Sequence, residues 1–266
     1  MAADPIEHVA DSGHWHIFES LGWELHLPWF VTKYMVLEVV AAVLIIAIFV
    51  PVARKTQSGE PPKGVLWNMF ESLLTFIRDQ VAKPCLGDHE ADKYVPFLWT
   101  MFLFVLFCNL LGMFPFLGSP TASISVTGAL ALIAFTAIHG AAVAKMGVGH
   151  YLKSYVPHVH VPFGMGYALV PMIVVIEAIG HFIKAFVLAV RLFANMFAGH
   201  MVLAVILLFI VMSRGSGPLL EWPVTIGSVL GVTALSLLEL FVAFLQAYIF
   251  TFLTALFMGM TMHPAH

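Results

Sequence analysis

Charged residues are scarce in this chain: Asp, Glu, Lys and Arg make up 10% of its 266 residues, whereas soluble proteins carry about 25%. Hydrophobic residues reach 61%, and the mean hydropathy is +0.95. So few charges cannot cover the surface of a soluble protein, which excludes that class. The net charge of −3 also offers no basic surface for nucleic acid. The composition indicates a polytopic integral membrane protein.

Cysteine is almost absent. Cys85 lies in a basic amphipathic segment and Cys108 in an apolar run, which suits neither a disulfide framework nor a metal pair. Histidines near the N-terminus could bind zinc, but their spacings match no usual ligand pattern, and we favour a solvated or interfacial segment for residues 1–30. These histidines are His8, His14, His16 and His26. We predict no bound metal and no cofactor.

The N-terminus lacks both the basic start of a secretory signal and the Arg-rich character of a mitochondrial transit peptide. We therefore expect a multi-pass protein of the bacterial inner membrane. Positive charge is concentrated in the loops on one side, which predicts a cytoplasmic location for them, with the N-terminus outside and the C-terminus inside. The residues on this side are Arg54, Lys55, Lys63, Arg78, Lys83, Lys93, Lys145 and Lys153, against Lys33 and Arg214 on the other.

Charges are missing from several stretches of about 18 or more residues, each long enough to cross a hydrocarbon core of about 30 Å as a helix. Open sheet edges are not stable there, and the runs lack the short alternating segments of a transmembrane barrel. We predict an all-α fold with about five to six membrane helices in one domain, residues 1–266. The first three spans are expected at residues 33–52, 96–115 and 122–144.

Residues 56–93 differ from the apolar runs around them. Large apolar side chains recur at helical spacing, opposite a face with Glu71, Arg78 and Asp79. This pattern predicts an amphipathic helix on the cytoplasmic membrane surface or against a partner. The apolar members are Trp67, Phe70, Leu73, Leu74, Ile77 and Val81.

Residues 163–262 predict a long helical hairpin. No Gly, Pro or Ser occurs between residues 181 and 198 to make a turn. An unbroken helix over residues 172–212 would be about 60 Å long, twice the bilayer core. We therefore expect the last two membrane helices to form a long, strongly tilted antiparallel pair, joined by the turn at residues 213–218.

Arg191 lies in the middle of the first of these helices. A mid-membrane Arg costs about 2.5–3.5 kcal/mol on insertion scales and stays charged. Lys184 and Glu177 precede it by seven and fourteen residues and share its face, and Asn195 follows one turn later. Glu239 and Gln246, also seven apart, share a face of the last helix. A charged face inside an apolar helix favours a functional site over polar packing contacts.

An antiparallel register that sets Arg191 beside Gln246 brings His200 within about half a turn of Glu239. A buried carboxylate beside an imidazole, near a fixed positive charge, is the layout of a proton relay. On a straight helix, however, His200 points away from Arg191. Gly199 allows a local distortion, or the two residues serve different cavities.

These residues resemble a known family. Arg191-Leu-Phe-Ala-Asn195-Met-Phe-Ala-Gly-His200, followed by Glu239 and Leu245-Gln246-Ala-Tyr-Ile-Phe, is similar to the a subunits of F-type ATP synthases. The likeness covers most of the chain and includes Asn109-Leu-Leu-Gly-Met-Phe-Pro115. The chain departs from the family pattern after Pro120, where relatives often carry Asp or Asn and this chain has Thr121, Ser123 and Ser125.

The resemblance implies a non-catalytic, ion-translocating stator subunit with two offset half-channels. Its implied partners are a rotating ring of c subunits, the b subunits of the peripheral stalk and the lipid bilayer, with no substrate besides the translocated ion. Protons would pass inward to a ring carboxylate by His200, Glu239 and Asn195, with Gln246 as the family's last-helix glutamine.

On the other side, the resemblance implies release of the proton by Glu177 and His181. Arg191 would attract each ionised ring carboxylate and block a direct leak, and we expect it to have no ion-pair partner within this chain. Two alternatives are a proton-coupled secondary transporter, in which Arg191 binds an anionic substrate, and a non-conducting membrane scaffold.

Overall fold

The computed structural model describes residues 14–18, 23–26, 32–57, 64–114, 118–154, 166–213 and 217–263. Five of its helices are long and apolar enough to cross a membrane. This confirms the helical, polytopic fold class. The elements in chain order are β1 (His14–Phe18), β2 (Trp23–His26), α1 (Lys33–Gln57), α2 (Val65–Phe76), a π-helical segment (Ile77–Ala82), α3 (Lys83–Leu86), α4 (Asp88–Gly112), a 3-10 turn (Pro120–Ala122), α5 (Ile124–Met146), α6 (Val148–Ser154), α7 (Gly166–Ser213) and α8 (Pro218–Met262).

A two-stranded antiparallel sheet precedes the helices. Strands β1 and β2 pair with His14 opposite His26 and Trp15 opposite Leu25. These strands differ from the solvated or interfacial segment predicted for residues 1–30. His8 lies outside the described residues.

Helix α1 is the first membrane span. It continues through Pro51 to Gln57, beyond the predicted end at residue 52. Leu37 and Ala41 are fully buried, while Val39 and Val43 on other faces are well exposed. A helix with one buried side and exposed apolar side chains elsewhere is suited to lipid contact.

The amphipathic segment forms a nearly continuous helical path. Helix α2 passes through the π-helical segment into α3, which ends at Gly87 with a positive φ of 80°. Trp99 Nε1 in α4 donates a hydrogen bond of 2.8 Å to the Leu74 carbonyl, and Arg78 pairs with Asp92 at 2.7 Å. These contacts hold the amphipathic segment against the start of α4.

The second span begins earlier than predicted. Its predicted start is Pro96, but α4 begins at Asp88 and Pro96 lies inside it. Asp88 and Glu90 occupy the first turn, where negative charge interacts favourably with the helix dipole. The acidic start therefore extends the helix toward its N-terminus.

The two long helices confirm the predicted elements of the C-terminal hairpin. Helix α7 has 48 residues and α8 has 45, so each is about 70 Å long, more than twice the bilayer core. Helix α7 is unbroken from residue 181 to 198, as the missing turn residues predict. Their strong tilt in a membrane stays a prediction.

The chain divides into two compact units. The first comprises the described residues of Met1–Pro62, Phe102–Thr127 and Arg191–Tyr248, and the second those of Lys63–Met101, Gly128–Val190 and Ile249–His266. In the first unit, Ala122, Met196 and Ala243 form a buried cluster. That cluster sets α7 and α8 side by side where they carry polar residues.

Candidate functional site

Asn195 and Gln246 join the two long helices within the first unit. Asn195 Nδ2 donates a hydrogen bond of 2.9 Å to Gln246 Oε1. Gln246 is only 2% exposed, whereas Asn195 lies at the exposed side of the pair. The bond fixes an antiparallel register in which Asn195, one turn beyond Arg191, faces Gln246. The register assumed from sequence was therefore displaced by one turn, because it placed Arg191 beside Gln246.

His200 and Glu239 form the second contact between these helices. His200 Nδ1 lies 3.5 Å from Glu239 Oε1, and both side chains are largely buried. This distance is long for a hydrogen bond, so proton transfer between the two groups requires a closer approach or one bridging water. The structure therefore confirms the predicted proximity of the imidazole and the carboxylate.

Gly199 makes this approach possible. A Cβ atom built on Gly199 would lie 2.9 Å from Glu239 Oε1, closer than ordinary packing allows. With only hydrogen at this position, α7 accommodates the carboxylate against its backbone. Gly199 thus serves close approach of the two helices; α7 remains helical there.

A polar network holds α8 between Glu239 and Gln246. Asn109 Nδ2 donates to the Ala243 carbonyl at 3.2 Å, and Thr121 Oγ1 donates to Asn109 Oδ1 at 2.7 Å. Ser119 and Thr121 share a further bond of 2.7 Å. All three polar side chains are fully buried. Thr121 is thus a structural partner of Asn109.

Arg191 does not take part in the contacts between α7 and α8 that Asn195, Gln246, His200 and Glu239 form. It is partly exposed, and its neighbour Leu192 is fully buried. No residue within the described part of the chain forms a hydrogen bond or ion pair with its guanidinium. A permanent cation of this kind is available to an anion from outside the chain.

A second cluster of titratable side chains lies in the other unit. His181 Nδ1 is 3.1 Å from the carbonyl oxygen of Glu177, one turn earlier on α7. The ring of His181 packs edge-on against that of His139 on α5, with centroids 5.3 Å apart. His139 Nδ1 in turn lies 2.6 Å from Tyr151 Oη on α6. Three helices therefore bring two imidazoles and a phenol together.

Lys184 borders the same group. Its Nζ lies 5.2 Å from the centroid of the Phe257 ring on α8, a cation-π distance. His139, His181, Lys184 and Phe257 line a small cavity of about 10 Å³, which has room for about one water molecule.

Sequence reasoning identified His181 but missed His139 and Tyr151. His139 is a lone histidine in an apolar helix, and Tyr151 lies in a short helix that follows it. No spacing within either helix points to the other, because only the fold brings α5, α6 and α7 together. The one available signal was the imidazole itself, a titratable group inside a predicted span.

No described group of three or more His, Cys, Asp or Glu side chains has the arrangement of a metal site. The titratable residues of both units instead occur as pairs and chains. Such an arrangement can accept, hold and pass on protons.

Comparison with known proteins relates the whole membrane region to one family. The sequence profile described as ATP synthase A chain matches residues 35–259. The protein named ATP synthase subunit a of Myxococcus xanthus (strain DK1622) is 40% identical over 237 residues, which cover 89% of this chain and 74% of the relative.

Two further relatives have similar names and similar identity. ATP synthase subunit a of Anaeromyxobacter dehalogenans (strain 2CP-C) is 39% identical over 251 residues, covering 92% of this chain but 62% of the relative. ATP synthase subunit a 2 of Chlorobaculum tepidum is 39% identical over 266 residues, with coverage of 96% and 71%. The chain therefore spans less than two thirds of the Anaeromyxobacter protein.

Proposed function

The chain belongs to the ATP synthase A chain family, and on this premise we propose that it is the proton-conducting stator subunit of the membrane sector of an F-type ATP synthase. It is a multi-pass membrane protein of bacterial type. In the proposal, its two half-channels deliver protons to a rotating ring of c subunits and remove them again. The b subunits of a peripheral stalk hold it against rotation.

The contact between His200 and Glu239 carries the proposal. A carboxylate within a membrane helix is costly and occurs mainly on ion pathways, and here it lies 3.5 Å from an imidazole. The buried His200 Nε2 and Gln246 Nε2 have no hydrogen-bond partner among the described residues. Buried polar groups usually have partners, so these atoms are suited to a hydrated path.

The outer half-channel passes His200, Glu239 and Asn195. Protons taken up from the periplasm are held by the imidazole and the carboxylate and are transferred to a ring carboxylate. Gln246 supports this step by accepting the hydrogen bond of Asn195, which orients the amide. The outward side follows from the predicted topology, with the N-terminus periplasmic and the C-terminus cytoplasmic.

The inner half-channel begins at Glu177 and His181. A ring carboxylate that arrives after rotation loses its proton to Glu177, with His181 as the next acceptor. Both side chains are partly buried. Their exposed part can contact the proton path, while their buried part is shielded from bulk water.

Arg191 keeps the two half-channels separate. Its charge attracts each ionised ring carboxylate, and without an ion-pair partner in the described residues the guanidinium is available for that contact. It also repels protons that would pass directly between the channels. Each proton crossing 100 mV supplies about 2.3 kcal/mol, so a leak would dissipate the drive for rotation.

Replacement of Arg191 tests this function. We expect R191A to assemble into the complex but to abolish ATP-driven proton pumping in inverted vesicles, measured with a pH-sensitive dye. R78A is a matched control, because Arg78 lies on the amphipathic segment and pairs with Asp92, and it should retain pumping. Unimpaired, ATP-coupled pumping by R191A would refute the proposed function.

Replacement of Glu239 tests the outer half-channel separately. E239Q keeps the shape of the side chain but cannot release a proton. We expect slower proton uptake from the outer side and an altered pH dependence of the flux. An unchanged flux at every pH would exclude Glu239 from the path.

A further inference from the structure

We propose that His139 and Tyr151 continue the inner half-channel, as a proton relay from His181 to the cytoplasmic surface. The inference rests on the proposed function and deepens it, because it assigns two residues on α5 and α6 to proton release. Neither helix carries any of the residues that the family resemblance assigns to the path.

Continuity of the titratable groups is the first argument. Glu177 and His181 share one turn of α7, and His139 contacts the ring of His181 with centroids 5.3 Å apart. His139 Nδ1 and Tyr151 Oη then lie 2.6 Å apart, a short hydrogen bond. The chain of groups leads from a membrane helix to a residue of α6, outside the predicted spans.

The cavity beside the rings is the second argument. It is lined by both imidazoles and has a volume of about 10 Å³, which suffices for about one water molecule. A proton can therefore pass between His181 and His139 directly or through a single water. Apolar side chains form most of the remaining lining, which limits alternative routes for the proton.

The hydrogen bonds define the direction of each transfer. His181 Nδ1 donates to the Glu177 carbonyl, so its Nε2 accepts the proton that Glu177 releases. His181 then gives that proton to the free ring nitrogen of His139. His139 passes its other N–H proton to Tyr151 Oη, whose own hydroxyl proton leaves to water. One proton enters and one leaves. The relay then holds His139 with its proton on Nε2, and proton exchange with water returns that proton to Nδ1, which faces Tyr151 Oη.

Lys184 supports release rather than storage of the proton. Its ammonium lines the same cavity as both imidazoles, and a like charge at short range in a poorly solvated site disfavours an imidazolium. The ammonium therefore disfavours retention of a proton on His181 or His139 and favours its transfer onward. The cation-π contact with Phe257 holds the ammonium in place.

The test uses the complete complex in vesicles, with passive proton conduction measured after removal of the catalytic sector. H139Q retains an amide that can bond to Tyr151 but cannot relay a proton, and Y151F removes only the hydroxyl. We expect each to lower conduction by about tenfold or more. H150Q is the matched control, because His150 is exposed and adjacent to Tyr151 on α6, and its conduction should equal that of the wild type.

Chemical rescue separates proton transfer from a packing role. In H139A, imidazole added at the cytoplasmic face should restore part of the lost conduction, because it can enter the vacated space and carry the proton. Loss of conduction without rescue would show that His139 acts only in packing, which refutes the relay.

E177Q and R191A separate the relay from the function on which it rests. Wild-type conduction by H139Q and Y151F, together with impaired E177Q, would refute the relay and leave the proposed function intact. Normal coupled pumping by R191A would instead refute the proposed function itself.

Discussion

Gly199 lies directly against the carboxylate of Glu239: a Cβ atom at this position would come within 2.9 Å of Oε1. The same carboxylate is 3.5 Å from His200 Nδ1. The glycine on α7 therefore sets the position of the acid on α8 relative to its imidazole neighbour. Because the atom in conflict is the end of a flexible side chain, a larger residue would move the carboxylate and leave the helices paired.

The first prediction concerns G199A. We expect the variant to assemble normally and to conduct protons several-fold more slowly, because the added methyl group displaces Glu239 from His200. The measurement is dye-detected conduction in vesicles without the catalytic sector. G180A is the control on the same helix, since a Cβ on Gly180 would meet no atom within 4 Å. Equal conduction by both variants would show that the position of Glu239 is not limiting.

The second prediction concerns the coupling of Asn195 and Gln246. Hydrogen bonds between membrane helices contribute about 0.6 kcal/mol on average and at most about 1.7 kcal/mol. We expect N195A and Q246A each to slow conduction, and the double variant to be less impaired than the product of the two single effects. A double-mutant cycle on the conduction rate measures this coupling.

Ser228 supplies the control for that cycle. It lies on α8, eighteen residues before Gln246 and so about 27 Å away along the helix. N195A and S228A should therefore act independently. Independent effects of N195A and Q246A would mean that the hydrogen bond between them does not contribute to conduction.

The third prediction separates the two roles of the buried network at Asn109. N109L removes the donor to the Ala243 carbonyl and leaves the Thr121 hydroxyl without its acceptor. We expect a loss of about 1–3 kcal/mol in the stability of the assembled subunit, together with slower conduction, because Ala243 lies between Glu239 and Gln246.

T121V is the companion variant. It removes the donor to Asn109 Oδ1 and the bond shared with Ser119, but the bond from Asn109 to α8 remains. We expect a smaller loss of stability and nearly normal conduction, with thermal dissociation of the purified complex as the measurement of stability. If T121V slows conduction as much as N109L does, Thr121 belongs to the path itself.

The sequence predicts those parts of the site that consist of charged residues within apolar helices. Arg191 and Glu239 stand out because a charge in an apolar helix is costly, and the missing turn residues correctly predict an unbroken α7. The register between α7 and α8 was one turn off, since sequence alone does not show that Asn195 rather than Arg191 faces Gln246.

The contacts among α5, α6 and α7 could not be predicted from the sequence. His139, His181 and Tyr151 occupy three helices, and no periodicity relates residues across loops of different length. The start of α4 was predicted incorrectly because Pro96 was taken as the first residue of the helix. The helix begins earlier, at Asp88, where acidic residues occupy its first turn.

The fourth prediction tests the orientation of the chain through its two cysteines. Cys85 lies on α3, in the segment predicted to be cytoplasmic, and is partly buried, whereas Cys108 is fully buried inside a membrane span. A membrane-impermeant maleimide should therefore label Cys85 in inverted vesicles and not in right-side-out vesicles. Cys108 should react only after denaturation.

The pH dependence of this labelling follows from burial. Burial raises the pKa of the Cys85 thiol above its ordinary value, and the thiolate is the reactive form. Its labelling at neutral pH should therefore be slower than that of an exposed cysteine, and the rate should keep rising at pH values where an exposed thiol has levelled off. C85S should lose the signal and C108S should keep it. Labelling of Cys85 in right-side-out vesicles alone would reverse the proposed topology, placing the amphipathic segment and the C-terminus outside.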